Sequence, residues 1–299
     1  MSSLNQSDVK IRFFTPAEEL QPYVTTLYLT EVNSSDGQPI GDHLHPEWAN
    51  LRILEKETPI GGIGDTKPGP LPRFIATGPT SRSSWFESAK MRSWGIGLLP
   101  LGWVKFIGAS AEDYADRNID GEQDPGFRSF KGLRKFVFDP SASAPAAEAE
   151  RINQFLLKLL KQAPADNDQV QQAHSILVDP DLGTVQEMAE RLGIIGRSLD
   201  RLSRKAFGFP PKLLLRRQRF LRSLADNMLN PEQNWISTID PQYYDQAHFG
   251  RDFQRFMGMS ASEYKALPHP FMNAAVHGRM AAAGAGMQAL HDPSQGHAK

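Results

Sequence analysis

The stretch SLDRLSRKAFG, Ser198–Gly208, has a counterpart fifty positions later in HFGRDFQRFMG, His248–Gly258. Leu199 corresponds to Phe249, Arg201 to Arg251, Lys205 to Arg255, Phe207 to Met257 and Gly208 to Gly258. In each copy apolar residues recur at three- and four-residue steps, the period of one helical face, and a glycine stands where a left-handed helix end is expected. The first copy follows TVQEMAERLG. There Thr184 and Glu187 read as a capping box, Val185, Met188, Ala189 and Leu192 as an apolar stripe, and Gly193 as the helix end. Helix, tight turn and helix with a basic outer face is the helix-turn-helix pattern, whose second helix enters a DNA major groove.

The repeat spacing has a physical reading. Residues 211–229 read as one helix, roughly 28 Å long at about 1.5 Å per residue. Such a strut would hold two recognition helices about one DNA turn apart, roughly 34 Å, on one face of a duplex. In the second copy Phe249, Phe253, Phe256 and Met257 form the apolar stripe, His248, Arg251 and Arg255 project elsewhere, and Gln246 stands near the helix start. Arginine and glutamine suit base edges, the first bridging guanine and the second adenine. SASE at 260–263 offers a further capping box.

The chain has 299 residues, 40% hydrophobic and 22% charged, with net charge −1 and an isoelectric point near 6.7. Those values predict a globular protein of two domains and carry no bulk signal for a polyanionic partner. The charge is unevenly placed. Arg197–Arg222 holds nine basic residues against one acid, Asp200, a local +8 that leaves −9 elsewhere. Local basic surface is what phosphate neutralisation needs. With no cysteine, disulfides, thiolate metal sites and a cysteine nucleophile are excluded. No apolar run approaches the roughly 20 residues of a bilayer span, and MSSLNQSDVKIRFF lacks the apolar core of a secretory leader. A soluble, cytoplasmic protein is expected.

The N-terminal half reads as strands. YVTTLYLTEV, NLRILEK, RFIATG, SSWFES and MRSWGIGLLPL are rich in β-branched and aromatic residues, with Gly- and Pro-rich breaks such as 57–72 between them. GWVKFIGASAEDYADR looks helical. The predicted fold class is α+β: an N-terminal, mostly antiparallel β roll or barrel-like domain and a C-terminal all-α domain of two helix-turn-helix units joined by a long helix. The expected boundaries are 1–140 for a sensory or assembly domain, 141–167 for a linker and connecting helix, 168–268 for the helical domain and 273–299 for a disordered tail. The linker assignment rests on DPSASAPAAEAE at 139–150. Ile152, Phe155, Leu156, Leu159 and Leu160 then form a helical stripe suited to the first domain or to a second copy of the chain.

The motifs EMAERLG…SLDRLSRKAFGFPPKLLLRRQRF and YYDQAHFGRDFQRFMGMSASEY resemble the DNA-binding domain of AraC/XylS-type transcriptional regulators over 176–268, about a third of the chain. The resemblance implies a seven-helix domain with base-contacting roles at Arg197 and Arg201 in the first unit and at Gln246, Ala247 and Arg251 in the second. Arg204, Lys205, His248 and Arg255 complete the expected DNA-binding set. The second unit departs from the family pattern: Pro241 should end its supporting helix by Asp240, and Gln242 stands in the usual glycine place, straining any left-handed turn there. HPEWANLRI, ATGPTSRS and GIGLLPLGWVKFIGASAEDYADR resemble, more weakly, an uncharacterised domain that precedes this module in some regulators, which implies a sensory or assembly role.

Weaker signals have plainer readings. His43, His45 and Glu47 in DHLHPEW are residue types that bind divalent ions, but Pro46 interrupts the strand geometry that would align them. Trp48, Trp85, Trp94 and Trp103 suit a core better than an effector pocket. GGIGD, Gly61–Asp65, lacks the following helix of a nucleotide loop. The expected function is therefore sequence-specific transcriptional regulation, without catalytic residues, metal or cofactor. The expected partners are double-stranded DNA, RNA polymerase, a small-molecule effector and a second copy of the chain, and no membrane. The rival readings are a metal-dependent, cupin-like enzyme in the first domain and a protein-interaction module that has lost DNA readout.

Overall fold

The computed structural model describes residues 8–140 and 144–293. Ten strands come first: β1 (Val9–Phe14), β2 (Val24–Asn33), β3 (Ile40–Leu44), β4 (Asn50–Leu54), β5 (Ile60–Ile63), β6 (Gly69–Pro70), β7 (Phe74–Thr77), β8 (Ser84–Ser88), β9 (Lys90–Leu98) and β10 (Asn118–Asp120). They form two antiparallel sheets, ordered β1-β2-β9-β4-β7-β10 and β3-β8-β5-β6. Each segment singled out for its β-branched and aromatic content supplies one of these strands, although MRSWGIGLLPL leaves its strand at Leu98 and its last two residues begin a helix.

Strand alternation sorts the larger sheet into two faces. Leu27 pairs with Ile96, Leu29 with Trp94, Leu51 with Ile96 and Ile53 with Trp94, so these residues share one side. That side joins a core with helices α1 (Pro100–Phe106), α2 (Leu133–Val137) and α3 (Pro145–Leu160). The opposite side carries Phe13, Tyr28, Thr30, Arg52 and Ser93 and lines a cavity whose other wall includes Leu44, Trp85 and Phe86 of the smaller sheet. The N-terminal half is thus a two-sheet β roll whose larger sheet has one face covered by α1, α2 and α3.

Residues 141–167 do more than connect. Residues 141–143 lie outside the described residues, but α3 packs its buried Ile152 and Leu156 on the first domain. Glu148 is buried in that interface, where its carboxylate accepts from Arg92 Nη2 at 2.6 Å and Trp94 Nε1 at 2.7 Å. The apolar stripe therefore belongs to this domain's core, and the linker composition before it misled the boundary.

The helical half contains α4 (Asp168–Val178), α5 (Val185–Leu192), α6 (Gly196–Phe207), α7 (Pro211–Leu229), α8 (Trp235–Thr238), α9 (Gln246–Met257) and α10 (Ala261–Lys265). Helix α7 is the hub, packing against α4, α5, α6, α8 and α9. It also bolts the two halves together. Arg217 is fully buried, stacks 3.8 Å over Trp48 and donates to the Thr80 carbonyl at 2.9 Å. Burial lowers its basicity to about 9.

The tail expectation is corrected. Pro270–Ala283 forms α11, which packs on β1, β2, β3 and α7, and Gln288–Leu290 adds a short turn of helix. The buried residues of α11, Phe271, Met272, Ala275, Val276, Arg279 and Ala283, share one side, but exposed alanines such as Ala274 and Ala281 and an arginine on the buried side blur the stripe. Gly278 permits the approach to β1, since a Cβ there would stand 2.7 Å from the Phe13 ring. Gln288 is buried and donates to the carbonyls of Ala49 and Leu98 at 3.1 and 3.2 Å. Residues 294–299 of the predicted tail lie outside the described residues.

Candidate nucleic-acid interface

Helices α5 and α6 form the first helix-turn-helix unit, and α8 and α9 the second. Thr184 caps α5 by accepting from the Glu187 amide at 3.0 Å, and Gly193 takes the left-handed conformation at φ 65°. The Glu187 carboxylate returns to the Gly183 amide, 3.1 Å, instead of closing a box on Thr184. Ser260 and Glu263 do form the reciprocal box that starts α10. As the proline predicts, α8 is only four residues long and stops before Asp240.

The strain expected at Gln242 is absent, because among the described residues only Asp116 and His269 are non-glycine residues with positive φ. Asp240 accepts from the Gln242 amide at 2.9 Å and turns the chain locally, while Gln242 Nε2 donates to the Pro180 carbonyl at 2.8 Å. A side-chain turn replaces the left-handed one.

Helices α6 and α9 are both fixed at their C-terminal ends. Gly208 caps α6 at φ 82° and Gly258 caps α9 at φ 75°. At the end of α6 the Phe207 ring packs edge-on against Trp48, 5.5 Å between centroids. At the end of α9 Ser83 donates from its amide to the Phe256 carbonyl at 2.7 Å, and from Oγ to the Met257 carbonyl at 3.1 Å. The first domain thus holds the rear of each helix. Arg197, Arg201 and Lys205 of α6 and Gln246, Ala247, Arg251 and Arg255 of α9 are exposed.

Two expected site residues are placed otherwise. Arg204 ion-pairs with Asp200 at 2.8 Å and with Glu112 of the first domain. The second acid lies too far along the chain for helical spacing to suggest it. His248 is partly buried, edge-on to Tyr243 at 5.1 Å, rather than projecting outward.

The basic run is also less free than its count implies. Asp252 is fully buried and accepts from Arg216 Nε and the Tyr243 hydroxyl, each at 3.1 Å, with Arg219 at 3.7 Å. Asp240 accepts from Arg222 Nε at 2.5 Å. With Arg204 paired and Arg217 buried, exposed positive charge on the first unit and α7 is concentrated at Arg197, Arg201, Lys205 and Lys212. Asp252 had a visible signal: it falls on the buried side of α9 between Phe249 and Phe253, where an acid requires partners.

Beneath each unit sits a buried histidine. His174 packs against Trp48 and Phe207 at 5.5 and 6.1 Å between centroids. His45 Nε2 lies 2.6 Å from the Tyr264 hydroxyl, just after the second unit. Burial pushes both imidazoles down to about 3. Strand β3 ends at Leu44, so His45 and Glu47 do not continue the face begun at His43. Glu47 instead binds Arg52 at 2.5 Å. No group of three or more potential metal ligands occurs among the described residues. Trp48, Trp94 and Trp103 are core residues, whereas Trp85 lines the cavity between the sheets.

That cavity measures about 100 Å³ and is closed on one side by Phe271, Met272, Ala275 and Arg279 of α11. Among the described residues no helix is long and apolar enough to cross a membrane.

No protein-family model matches the chain, and neither does any curated protein. Among solved structures the chain is similar to ToxT from Vibrio cholerae at 12% identity and a TM-score of 0.45, covering 86% of this chain and 97% of that one. A second ToxT structure, bound to (E)-4-(8-methylnaphthalen-1-yl)but-3-enoic acid, aligns at 11% identity and a TM-score of 0.44 over 86% and 98%. The AraC-like transcriptional activator CuxR aligns at 12% identity and a TM-score of 0.25 over 73% and 88%. At these values the reading of function rests on the chain's own residues.

Proposed function

We propose that the protein is a sequence-specific DNA-binding transcriptional regulator whose β domain receives a small-molecule effector. The observation that carries this reading is the matched pair of helices, each anchored at its C-terminal end with arginine exposed along its free part. Recognition helices contact base edges chiefly through their N-terminal residues. Arg197, Arg201, Gln246, Ala247 and Arg251 are the proposed base-contacting set, with Lys205, Lys212 and Arg255 on phosphates. The AraC/XylS-like motifs support the same assignment. Arg204 and His248 leave the set, since one is paired with acids and the other packs on Tyr243.

The effector half of the proposal is supported by the cavity and by α11, which follows the second unit and closes the cavity wall. One element therefore touches both halves, the arrangement that a coupling free energy requires. The test is a titration of duplex DNA at several salt concentrations. Phosphate-mediated binding must weaken as salt rises, with a log–log slope of about −0.9 per phosphate contacted. Arg201→Ala is expected to cost about 1–3 kcal/mol on a preferred site. Salt-insensitive binding, or an unchanged Arg201→Ala, contradicts the reading.

A further inference from the structure

The cavity wall carries three charged side chains among the described residues: Glu47, Arg52 and Arg279. Glu47 and Arg52 neutralise each other. His45, also on the wall, is kept neutral by burial. That leaves one net positive charge, on Arg279.

Arg279 is only 9% exposed. Its Nη1 donates to the Gly286 carbonyl at 3.3 Å, its guanidinium lies 5.5 Å from the Phe13 ring, and its Nε has no hydrogen-bond partner. A buried cation without a bonded anion is costly unless a partner arrives. The rest of the wall is mainly apolar, including Ile11, Leu54, Phe86, Met91 and Phe271, with a few neutral polar groups such as Thr30, Ser93 and Asn118. For scale, a dry cavity of about 150 Å³ in another protein takes benzene.

We infer that this cavity is the receptor site for a compact monocarboxylate with a ring-sized or short branched apolar body, its carboxylate held by Arg279. A guanidinium fork matches a carboxylate with two parallel hydrogen bonds. One uncompensated cation suits a single negative charge, and the nearby Glu47 disfavours a dianion. The volume disfavours a long acyl chain. The inference names the ligand class for the effector half of the function proposed above.

The experiment is thermal unfolding of the full chain with benzoate, cyclohexanecarboxylate and 3-methylbutanoate, each against its neutral primary amide, and with phenyl phosphate as the dianion. At a hundredfold excess over Kd, at least one carboxylate should raise Tm by roughly 5 °C, while its amide and phenyl phosphate leave it in place. Arg279→Met should abolish the shift and leave the ligand-free Tm equal to or above that of the parent protein, because a buried unpaired cation is gone. Arg279→Lys should keep a smaller shift, which tests the role should the Met variant not fold. The inference is overturned if no carboxylate shifts the parent, if an amide shifts it equally, or if Arg279→Met or Arg279→Lys responds like the parent. No DNA enters this assay. Its failure leaves the DNA-binding reading standing, and salt-insensitive DNA binding leaves the receptor site standing.

Discussion

The two helix-turn-helix units follow one plan but are stabilised differently. The first rests on a full supporting helix, α5, capped by Thr184, while its reading helix begins at Ile195 with no side-chain cap. The second has a four-residue support, and its reading helix is capped by Asp245, which accepts from the His248 amide at 2.6 Å. These caps occupy matching positions fifty residues apart, and so do Leu202 and Asp252. Where the first unit places an apolar side chain, the second places a carboxylate gripped by arginines from α7. The comparison teaches that a repeated surface does not need a repeated foundation. The second unit gave up helical support at Pro241 and compensates with a charge network.

That difference is open to attack by substitution. Asp252→Ala strands Arg216 and Arg219 against a buried face and should destabilise by about 3 kcal/mol, the lower end for a broken buried pair because Arg216 keeps some solvent contact. Chemical denaturation would measure it, and a loss under 1 kcal/mol would mean the network is dispensable. Acid acts on both foundations. His174 under the first unit and His45 near the second stay neutral when folded to about pH 3 but titrate near 6.5 when unfolded. As pH falls below 6.5 the unfolded chain gains protons that the folded chain refuses. Stability should fall by about 1.4 kcal/mol per pH unit for each histidine, roughly 2 kcal/mol each by pH 5, and stay level above pH 6.5. Urea titrations of His174→Gln and His45→Gln should each lack one such share of the slope, and an unchanged slope would contradict it. The caps give the smallest effect. Asp245→Ala should cost about 1 kcal/mol, whereas Ile195→Asp should gain a similar amount at the matching position. In a gel shift Ile195→Asp should also weaken DNA binding, because it adds an anion at the helix end proposed to enter the groove of a polyanion; unchanged affinity would place that end away from the duplex.

Much of this was legible in the sequence. The repeat announced two units because helical periodicity and glycine caps are local signals, and Pro241 announced the short support for the same reason. The strands were visible through their β-branched and aromatic runs, although the pairing of β1, β2, β9 and β4 into one sheet was not. What escaped was non-local. Arg204 looks free until Glu112 arrives from the other domain, Glu148 resembles linker until Arg92 and Trp94 enclose it, and α11 resembles a tail because exposed alanines and the buried Arg279 blur its one apolar side. The cavity's charge balance depends on Glu47, Arg52 and Arg279, which only the fold brings together.

The most direct test of the central claim is selection of bound sequences from random duplexes by the full chain, repeated with Arg201→Ala and with Arg251→Ala. The account predicts two blocks of preferred bases about one helical turn, roughly 10 base pairs, apart. Each variant should flatten a different block and leave the other intact. Absence of any preferred sequence, or loss of the same block in both variants, would contradict it.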